Sequence, residues 1–165
     1  MNARTLTSIV FILTALTSCG QGKYGISKTH AFYTERIAGT VMVDGEGRQL
    51  PARRDTTYTI YVETNNNNIK WLKAWIKGQS FTVQAKSMGS DRVEAGVEKY
   101  GERKFVLKPA AGHQLWLLQL QSDNVSSKSP SGIKSGEIIV QGRSGKKTFT
   151  FKISPMVELE GLPSV

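Results

Sequence analysis

The side chains that most often carry out catalysis are scarce in this chain of 165 residues. It contains two histidines, His30 and His113, and a single cysteine, Cys19. One cysteine makes neither an intramolecular disulfide nor a zinc–thiolate cluster. A serine hydrolase would need a histidine as its base, and no Gly-x-Ser-x-Gly sequence offers an exposed nucleophile. The sequence therefore predicts a protein that is not an enzyme, and a hydrolase that uses His113 is the weakest alternative.

Acidic residues are too scattered to predict a metal centre. Asp44 and Glu46 flank a glycine, but a calcium loop places several oxygen ligands close together. A plain turn explains residues 44–47 better. The segment 142–147 holds two glycines and three cations, lacks the spacing of a phosphate-binding loop and is typical of a hairpin tip. No metal and no cofactor are predicted.

The first eighteen residues have the pattern of a secretory signal. Arg4 supplies a positive start, residues 6–16 are mostly apolar, and small residues follow up to Cys19. The apolar part is about a dozen residues long, whereas a helix that spans a bilayer needs roughly 20. We therefore interpret the segment as a removable signal and not as a permanent anchor.

The end of this signal, Leu16-Thr17-Ser18-Cys19-Gly20, resembles the lipobox of bacterial lipoproteins. The resemblance implies that a diacylglyceryl group is attached to the Cys19 thiol, that signal peptidase II cuts before Cys19, and that the new amino terminus is acylated. Two or three acyl chains hold a protein stably on a bilayer. Gly20, where an aspartate would resemble an inner-membrane retention signal, favours the outer membrane. The alternatives are cleavage by the ordinary signal peptidase and a buried free cysteine in a cytosolic protein.

Cleavage before Cys19 would leave 147 residues, which is enough for one domain with a hydrophobic core. It removes one arginine, so the net charge changes from +9 to +8. Residues 20–30 contain three glycines and are predicted to form a flexible tether. The expected organisation is a signal peptide at 1–18, a lipidated cysteine and tether at 19–30, and one domain at 31–165.

Beyond residue 31, apolar and polar residues alternate with a period of two, which is typical of strands with one buried face. Tyr58, Ile60 and Val62, for example, share one face of such a run. Two further alternating runs lie at 81–85 and 149–153. Two more uniformly apolar runs lie at 114–120 and 137–140. Their β-branched and aromatic residues suit strands.

Turn residues separate these runs. Residues 143–146 are predicted to close a hairpin between 137–142 and 147–153, and the polar stretch 122–136 is either a long loop between sheets or a mobile excursion. The sequence thus predicts an all-β fold of eight or nine strands. The favoured architecture is an antiparallel two-sheet sandwich of immunoglobulin-like type, with a barrel as the alternative.

Residues 69–77 are compatible with two structures. In a strand, Trp71 and Trp75 would share one face, opposite Leu72, Ala74 and Ile76. In a helix, the segment would be basic and amphipathic, as at membrane surfaces. Nine residues are marginal for a helix in water, and Gly78 ends the run, so a strand is favoured.

The positive charge predicts an anionic partner. An exported protein is not expected to meet nucleic acid. The predicted partners are therefore anionic lipids, anionic glycans or another envelope protein. The candidate binding surface comprises Trp71, Trp75, Lys70, Lys73, Lys77, Arg143, Lys146 and Lys147. The expected function is that of a lipid-anchored binding or accessory module of the bacterial cell envelope. The alternative is a structural subunit of an envelope transport or secretion assembly, docked by strand addition at 114–120 or at an edge strand.

Overall fold

The structure is a computed structural model that describes residues 22–37, 43–50, 54–123, 130, 134 and 136–161. The predicted signal segment and Cys19 lie outside these residues, as does most of the polar stretch 122–136. Within the described ranges, no helix has both the length and the apolar character needed to cross a bilayer.

The described chain consists mainly of β-strands, which confirms the all-β prediction. A short 3-10 turn at Gly22–Tyr24 precedes ten strands. The strands are β1 (Ile26–Ile37), β2 (Arg54–Thr64), β3 (Ile69–Ile76), β4 (Gln79–Gly89), β5 (Val93–Val97), β6 (Lys104–Leu107), β7 (Gln114–Ser122), β8 (Ile138–Ser144), β9 (Lys147–Ile153) and β10 (Met156–Glu158).

Eight strands form one large curled sheet in the order β10-β1-β2-β7-β4-β3-β8-β9. β10 runs parallel to β1, and the other neighbouring strands are antiparallel. The sheet is therefore mixed, which corrects the expectation of a purely antiparallel fold. The short strand β10 follows β9 directly and hydrogen-bonds to the outer edge of β1, a long-range pairing that local sequence does not encode. β5 and β6 form a separate antiparallel pair.

One face of the large sheet carries the main hydrophobic core. Ile60 and Val62 are fully buried there, and Tyr58 packs against the same cluster, so the predicted alternation of β2 is confirmed. The cluster also includes Phe81, Val83, Leu118, Ile138, Val140, Phe149, Phe151 and Ile153. Full burial of one large apolar side chain contributes about 1.5–3 kcal/mol, so the many buried side chains of this face stabilise the fold strongly.

The opposite face of β1, β2 and β7 is covered by the small sheet. Phe32, Tyr61 and Leu115 pack there against Leu107 of β6 in a second buried cluster. Ala31, the neighbour of Phe32, lies in the main core. β1 therefore buries side chains on both faces, and the small sheet brings β6 over this part of the large sheet.

Residues 69–76 form strand β3, as favoured from the sequence. A bulge between Trp71 and Lys73, where β3 pairs with β8, interrupts the alternation. Trp71 consequently belongs to the main core together with Ala74 and Ile76. The expected separation of Trp71 from these two residues is therefore wrong, because one extra residue in a strand reverses which face the following side chains occupy.

The folded domain begins earlier than residue 31, which corrects the predicted tether. β1 starts at Ile26, which is 2% exposed and part of the main core. Tyr24 stacks on Phe149 of β9 with ring centroids 4.1 Å apart. Glycines and polar residues at 20–30 predict a flexible segment, but pairing of β1 with β2 and the contacts of Tyr24 and Ile26 hold its described part, residues 22–30, in the fold.

Two predicted turns are confirmed. Gly145 and Lys146 connect β8 to β9, and register pairs Ser144 with Lys147 across this tight hairpin. In the other turn, Oδ1 of Asp44 accepts hydrogen bonds from the backbone amides of Glu46 and Arg48 at 3.0 and 2.8 Å. The Asp44 carboxylate therefore organises its own loop, as side chains of aspartate commonly do.

Candidate functional site

The fold brings both histidines of the chain to one buried carboxylate, Glu63. Lys28 and His30 lie on β1, and Glu63 lies on the adjacent strand β2, where register pairs it with Lys28. His113 immediately precedes β7, which is the other neighbour of β2. A cleft of about 210 Å³, which we call the Glu63 cleft, is lined by Lys28, His30, Glu63, Val106, Leu107, Lys108 and Leu115.

Glu63 is the most enclosed charged side chain of this cleft, with 5% of the side chain exposed. Its Oε1 accepts a hydrogen bond from the Ala110 amide at 3.0 Å and lies 2.7 Å from Nδ1 of His113. Lys28 Nζ lies 3.7 Å from Oε2. Burial alone would raise the pKa of the carboxyl. The hydrogen bonds from Ala110 and then His113 outweigh it and hold the pKa of Glu63 below its ordinary value.

Ser27, His113 and Glu63 have the residue types of a hydrolytic triad but a different geometry. Ser27 Oγ lies 3.2 Å from Nδ1 of His113, the same ring nitrogen that contacts Glu63. An ionised carboxylate only accepts hydrogen bonds, so this nitrogen carries the proton and donates it to Glu63. It therefore cannot take a proton from Ser27, whereas a triad places serine and acid on opposite ring nitrogens. Ser27 instead donates to the Glu63 carbonyl oxygen at 3.2 Å.

His30 is part of β1 and partly buried, which corrects its placement in a solvated tether. Its ring stacks on Phe32 with centroids 6.4 Å apart. Burial lowers the pKa of His30, the charge of Lys28 lowers it further, and Glu63 raises it in part. The Glu63 cleft thus combines a histidine of lowered pKa with one hydrogen-bonded carboxylate, an arrangement suited to holding structure or a small polar ligand.

A larger cleft of about 390 Å³ lies where β1, β2 and β10 meet the turn after β3. Tyr33 and Tyr58 lie side by side in its wall, with ring centroids 6.5 Å apart. Tyr33 also donates a hydrogen bond to Glu158 at 3.2 Å. The cleft is lined by Tyr33, Glu35, Thr56, Tyr58, Lys77, Gly136, Ser154, Pro155 and Met156. We call it the tyrosine cleft.

The predicted binding surface is only partly brought together. Register pairs Lys70 of β3 with Arg143 of β8, the turn that follows β8 adds Lys146, and the start of β9 adds Lys147. We call these four exposed cations the basic end. Among the described residues, none of the four has an acidic partner within salt-bridge distance.

The remaining predicted surface residues lie elsewhere. Trp71 and Trp75 are 8% and 5% exposed, so their indoles belong to the interior and not to an exposed contact surface. Lys73 pairs with Asp123 at 3.2 Å. Lys77 lies in the turn at the other end of β3 and lines the tyrosine cleft.

The Glu63 cleft escaped sequence analysis because its parts are far apart in the chain. Glu63 and His113 are separated by 50 positions, and β1 with His30 is placed by strand pairing alone. One signal was present: Glu63 stands in an alternating strand directly after buried Val62, next to a run of polar asparagines. Within the described ranges, histidine, cysteine and acidic side chains form no group of three with the geometry of a metal site.

Comparison of the chain with protein-family models, with curated proteins and with solved structures finds no match.

Proposed function

We propose that the protein is a lipoprotein of the bacterial cell envelope, anchored by acyl chains on Cys19, whose β-domain acts as a non-catalytic binding or accessory module. The outer membrane is the proposed location. The observation that carries the proposal is the position of Cys19 in the sequence. It follows an apolar signal and precedes the first described residue of the fold, Gly22, by three positions.

This position makes lipidation compatible with the fold. Cleavage before Cys19 removes no described residue, and the contacts that hold the amino-terminal turn begin with Tyr24. Lipid on the cysteine thiol would therefore leave the core and both clefts unchanged. Two or three acyl chains would hold the domain on the membrane stably.

The tyrosine cleft is the proposed binding part of the module. Paired tyrosine rings offer apolar faces and hydroxyl groups together, and Glu35, Thr56 and Lys77 add polar groups around them. Ligand sites commonly combine an apolar, aromatic lining with a few polar groups. The Glu63 cleft is smaller, and its carboxylate is already occupied by internal hydrogen bonds.

Metabolic labelling with a radioactive or clickable fatty acid tests the anchor. The native chain should incorporate label and fractionate with membranes, whereas Cys19→Ala should do neither. Mass spectrometry of the amino-terminal peptide should place the acyl groups on residue 19. Equal labelling of the two chains would contradict the proposal.

Photo-crosslinking in cells tests the tyrosine cleft. A benzophenone amino acid replaces Thr56, which lines the cleft, or Thr150, an exposed residue of β9 that serves as the matched control. A discrete adduct from position 56 and none from position 150 would support the binding role. The same adducts from both positions, or none from position 56, would count against it.

A second candidate function is that of a structural subunit in an envelope transport or secretion assembly. β7, the apolar strand that the sequence predicts as a docking strand, lies inside the sheet between β2 and β4 and is closed to strand addition. β9 is favoured instead, because among the described strands only β8 pairs with it. Edge strands of this kind accept an added strand from a partner. A free monomer after extraction in mild detergent would weigh against this function.

The finer architecture also belongs to the proposal. We propose that the curled sheet works as two packed layers, as the sandwich prediction expects, since side chains of β1, β2 and β7 share one core with those of β3, β4, β8 and β9. An immunoglobulin-like arrangement stays a prediction.

A further inference from the structure

We infer that the basic end docks electrostatically on the anionic headgroups of the bilayer that holds the Cys19 lipid. The inference rests on the proposed anchoring and adds an orientation to it. The domain would stand with the basic end against the membrane and would present the tyrosine cleft away from it.

Strand pairing concentrates like charges at this end. Lys70 and Arg143 occupy directly opposed positions of β3 and β8 and are both exposed. Opposed like charges destabilise a sheet. Lys146 and Lys147 add two more positive charges in the adjoining turn and at the start of β9. An external anionic surface would relieve this repulsion, because no described acid lies within salt-bridge distance of the four cations.

The opposite end of the sheet has a different charge pattern. Three described ion pairs between a carboxylate and a cation lie there. The pairs are Glu35 with Arg54 at 3.8 Å, Asp123 with Lys73 at 3.2 Å and Glu137 with Lys152 at 3.2 Å. Carboxylates therefore offset part of the positive charge at this end, whereas no described acid pairs with the four cations of the basic end. A negatively charged plane would attract the basic end more strongly than the opposite end.

The start of the folded chain adjoins the basic end. Asn66 Nδ2 donates hydrogen bonds to the Tyr24 carbonyl oxygen at 3.4 Å and to Ser144 Oγ at 3.1 Å. Ser144 follows Arg143 directly. The amino-terminal turn is thus held next to the hairpin that carries three of the four cations.

The chain between the lipid and this turn is short. Cys19 and Gly22 are three residues apart, and three extended residues span at most roughly 11 Å. Counterion screening at physiological salt extends over about 8 Å. An anchored domain therefore keeps the basic end near the headgroups, where cations interact with anionic lipid. The tryptophans are buried, so the contact is electrostatic and should weaken as salt is added.

Vesicle co-sedimentation of an unlipidated chain tests the surface apart from the anchor. We would use residues 19–165 with Cys19→Ser, which retain every described contact because the described fold begins at Gly22. This chain should bind vesicles that contain phosphatidylglycerol and should dissociate from them in high salt. It should not bind vesicles of pure phosphatidylcholine. Arg143→Gln combined with Lys147→Gln should weaken vesicle binding roughly 25-fold, which is about fivefold for each basic residue removed.

The control combines Lys104→Gln with Lys134→Gln, two exposed cations outside the basic end and outside both clefts, and alters net charge equally. Binding should then change by less than roughly threefold, and thermal unfolding should match the parent in both variants. Equal weakening by the two variants would overturn the inference, as would binding that ignores phosphatidylglycerol. Lys70→Gln alone provides an independent check, because it removes a cation of the basic end from a different strand and should also weaken vesicle binding.

Three further outcomes separate this inference from a soluble phosphate ligand and from the proposed anchor. Displacement from vesicles by free glycerol phosphate at the same phosphate concentration would indicate a soluble phosphate ligand and overturn surface docking. Successful labelling of Cys19 together with failed vesicle binding would leave the anchor and remove the docking. Failed labelling together with binding that depends on Arg143 and Lys147 would support the surface while the anchor is lost.

Discussion

Nδ1 of His113 lies 2.7 Å from Oε1 of Glu63, and this contact joins the loop before β7 to the end of β2. The Ala110 amide binds the same carboxylate oxygen. One buried side chain thereby fixes a loop that local sequence leaves undetermined. Replacing a structural carboxylate of this kind should change the free energy of unfolding by a measurable amount.

Glu63→Gln should lower the free energy of unfolding by about 2 kcal/mol, because the buried charged acceptor of the Ala110 amide and of the His113 ring is replaced by a neutral amide. Urea unfolding followed by circular dichroism would measure the change. Glu94→Gln is the matched control, since Glu94 pairs with Lys104 but both side chains are more than half exposed. It should cost less than about 0.5 kcal/mol. Equal effects would show that the Glu63 contacts are not structural.

The same carboxylate predicts a loss of stability in acid. The folded-state pKa of Glu63 lies below its ordinary value of 4.5, so the unfolded chain binds more protons. The stabilisation is complete above the ordinary pKa and disappears as pH falls through the folded value. Glu63→Gln should therefore make the acid slope of stability shallower. It should not abolish the slope, because the pKa values of Asp123, Glu137 and Glu158 are also lowered. Parallel curves for the two chains would contradict this assignment.

Gly142→Ala should destabilise the domain by about 1–3 kcal/mol through overpacking. A Cβ at position 142 would meet Cζ of Phe149 at 2.7 Å, and Phe149 is held in the core by stacking on Tyr24. Gly45→Ala is the control, since nothing lies within 4 Å of its added Cβ. Thermal unfolding of both variants would measure the difference, and an unchanged midpoint for Gly142→Ala would show that Phe149 moves freely.

Substitutions at adjacent positions of β3 should separate core from surface. Trp71→Ala should cost about 3–5 kcal/mol, because a large buried aromatic side chain is removed. Lys70→Ala should change stability by less than about 0.5 kcal/mol. Chemical denaturation of the two variants provides the comparison. A Trp71→Ala chain as stable as the native one would indicate that the indole serves a surface contact and not the core.

Alternation of apolar residues was enough to predict several strands and their buried faces. Ile60 and Val62, or Phe149 and Phe151, occupy the main core as expected because side chains of a strand alternate between its two faces. The hairpin turn at Gly145 was also predictable, because it depends on neighbouring residues alone. Prediction failed at β3, where a bulge between Trp71 and Lys73 shifts the alternation. It failed again at β1, whose polar residues are ordered by pairing with β2.

The candidate sites were less accessible to sequence analysis than the strands. The cations of the basic end were identified as possible contacts, but the cross-strand register alone placed Lys70 opposite Arg143. Lys73 and Lys77 belong to the same sequence cluster and lie elsewhere, because contacts depend on strand pairing and not on proximity in sequence.

Sequence alone determined the strand-forming pattern, the positive charge and the position of the one cysteine after an apolar run, since each depends on residue type and local spacing. Tertiary structure decided the parallel pairing of β10 with β1, the burial of Trp71 and Trp75, and the meeting of Glu63 with His113. These features arise between residues distant in the chain, and a two-residue repeat carries no information about which strands become neighbours.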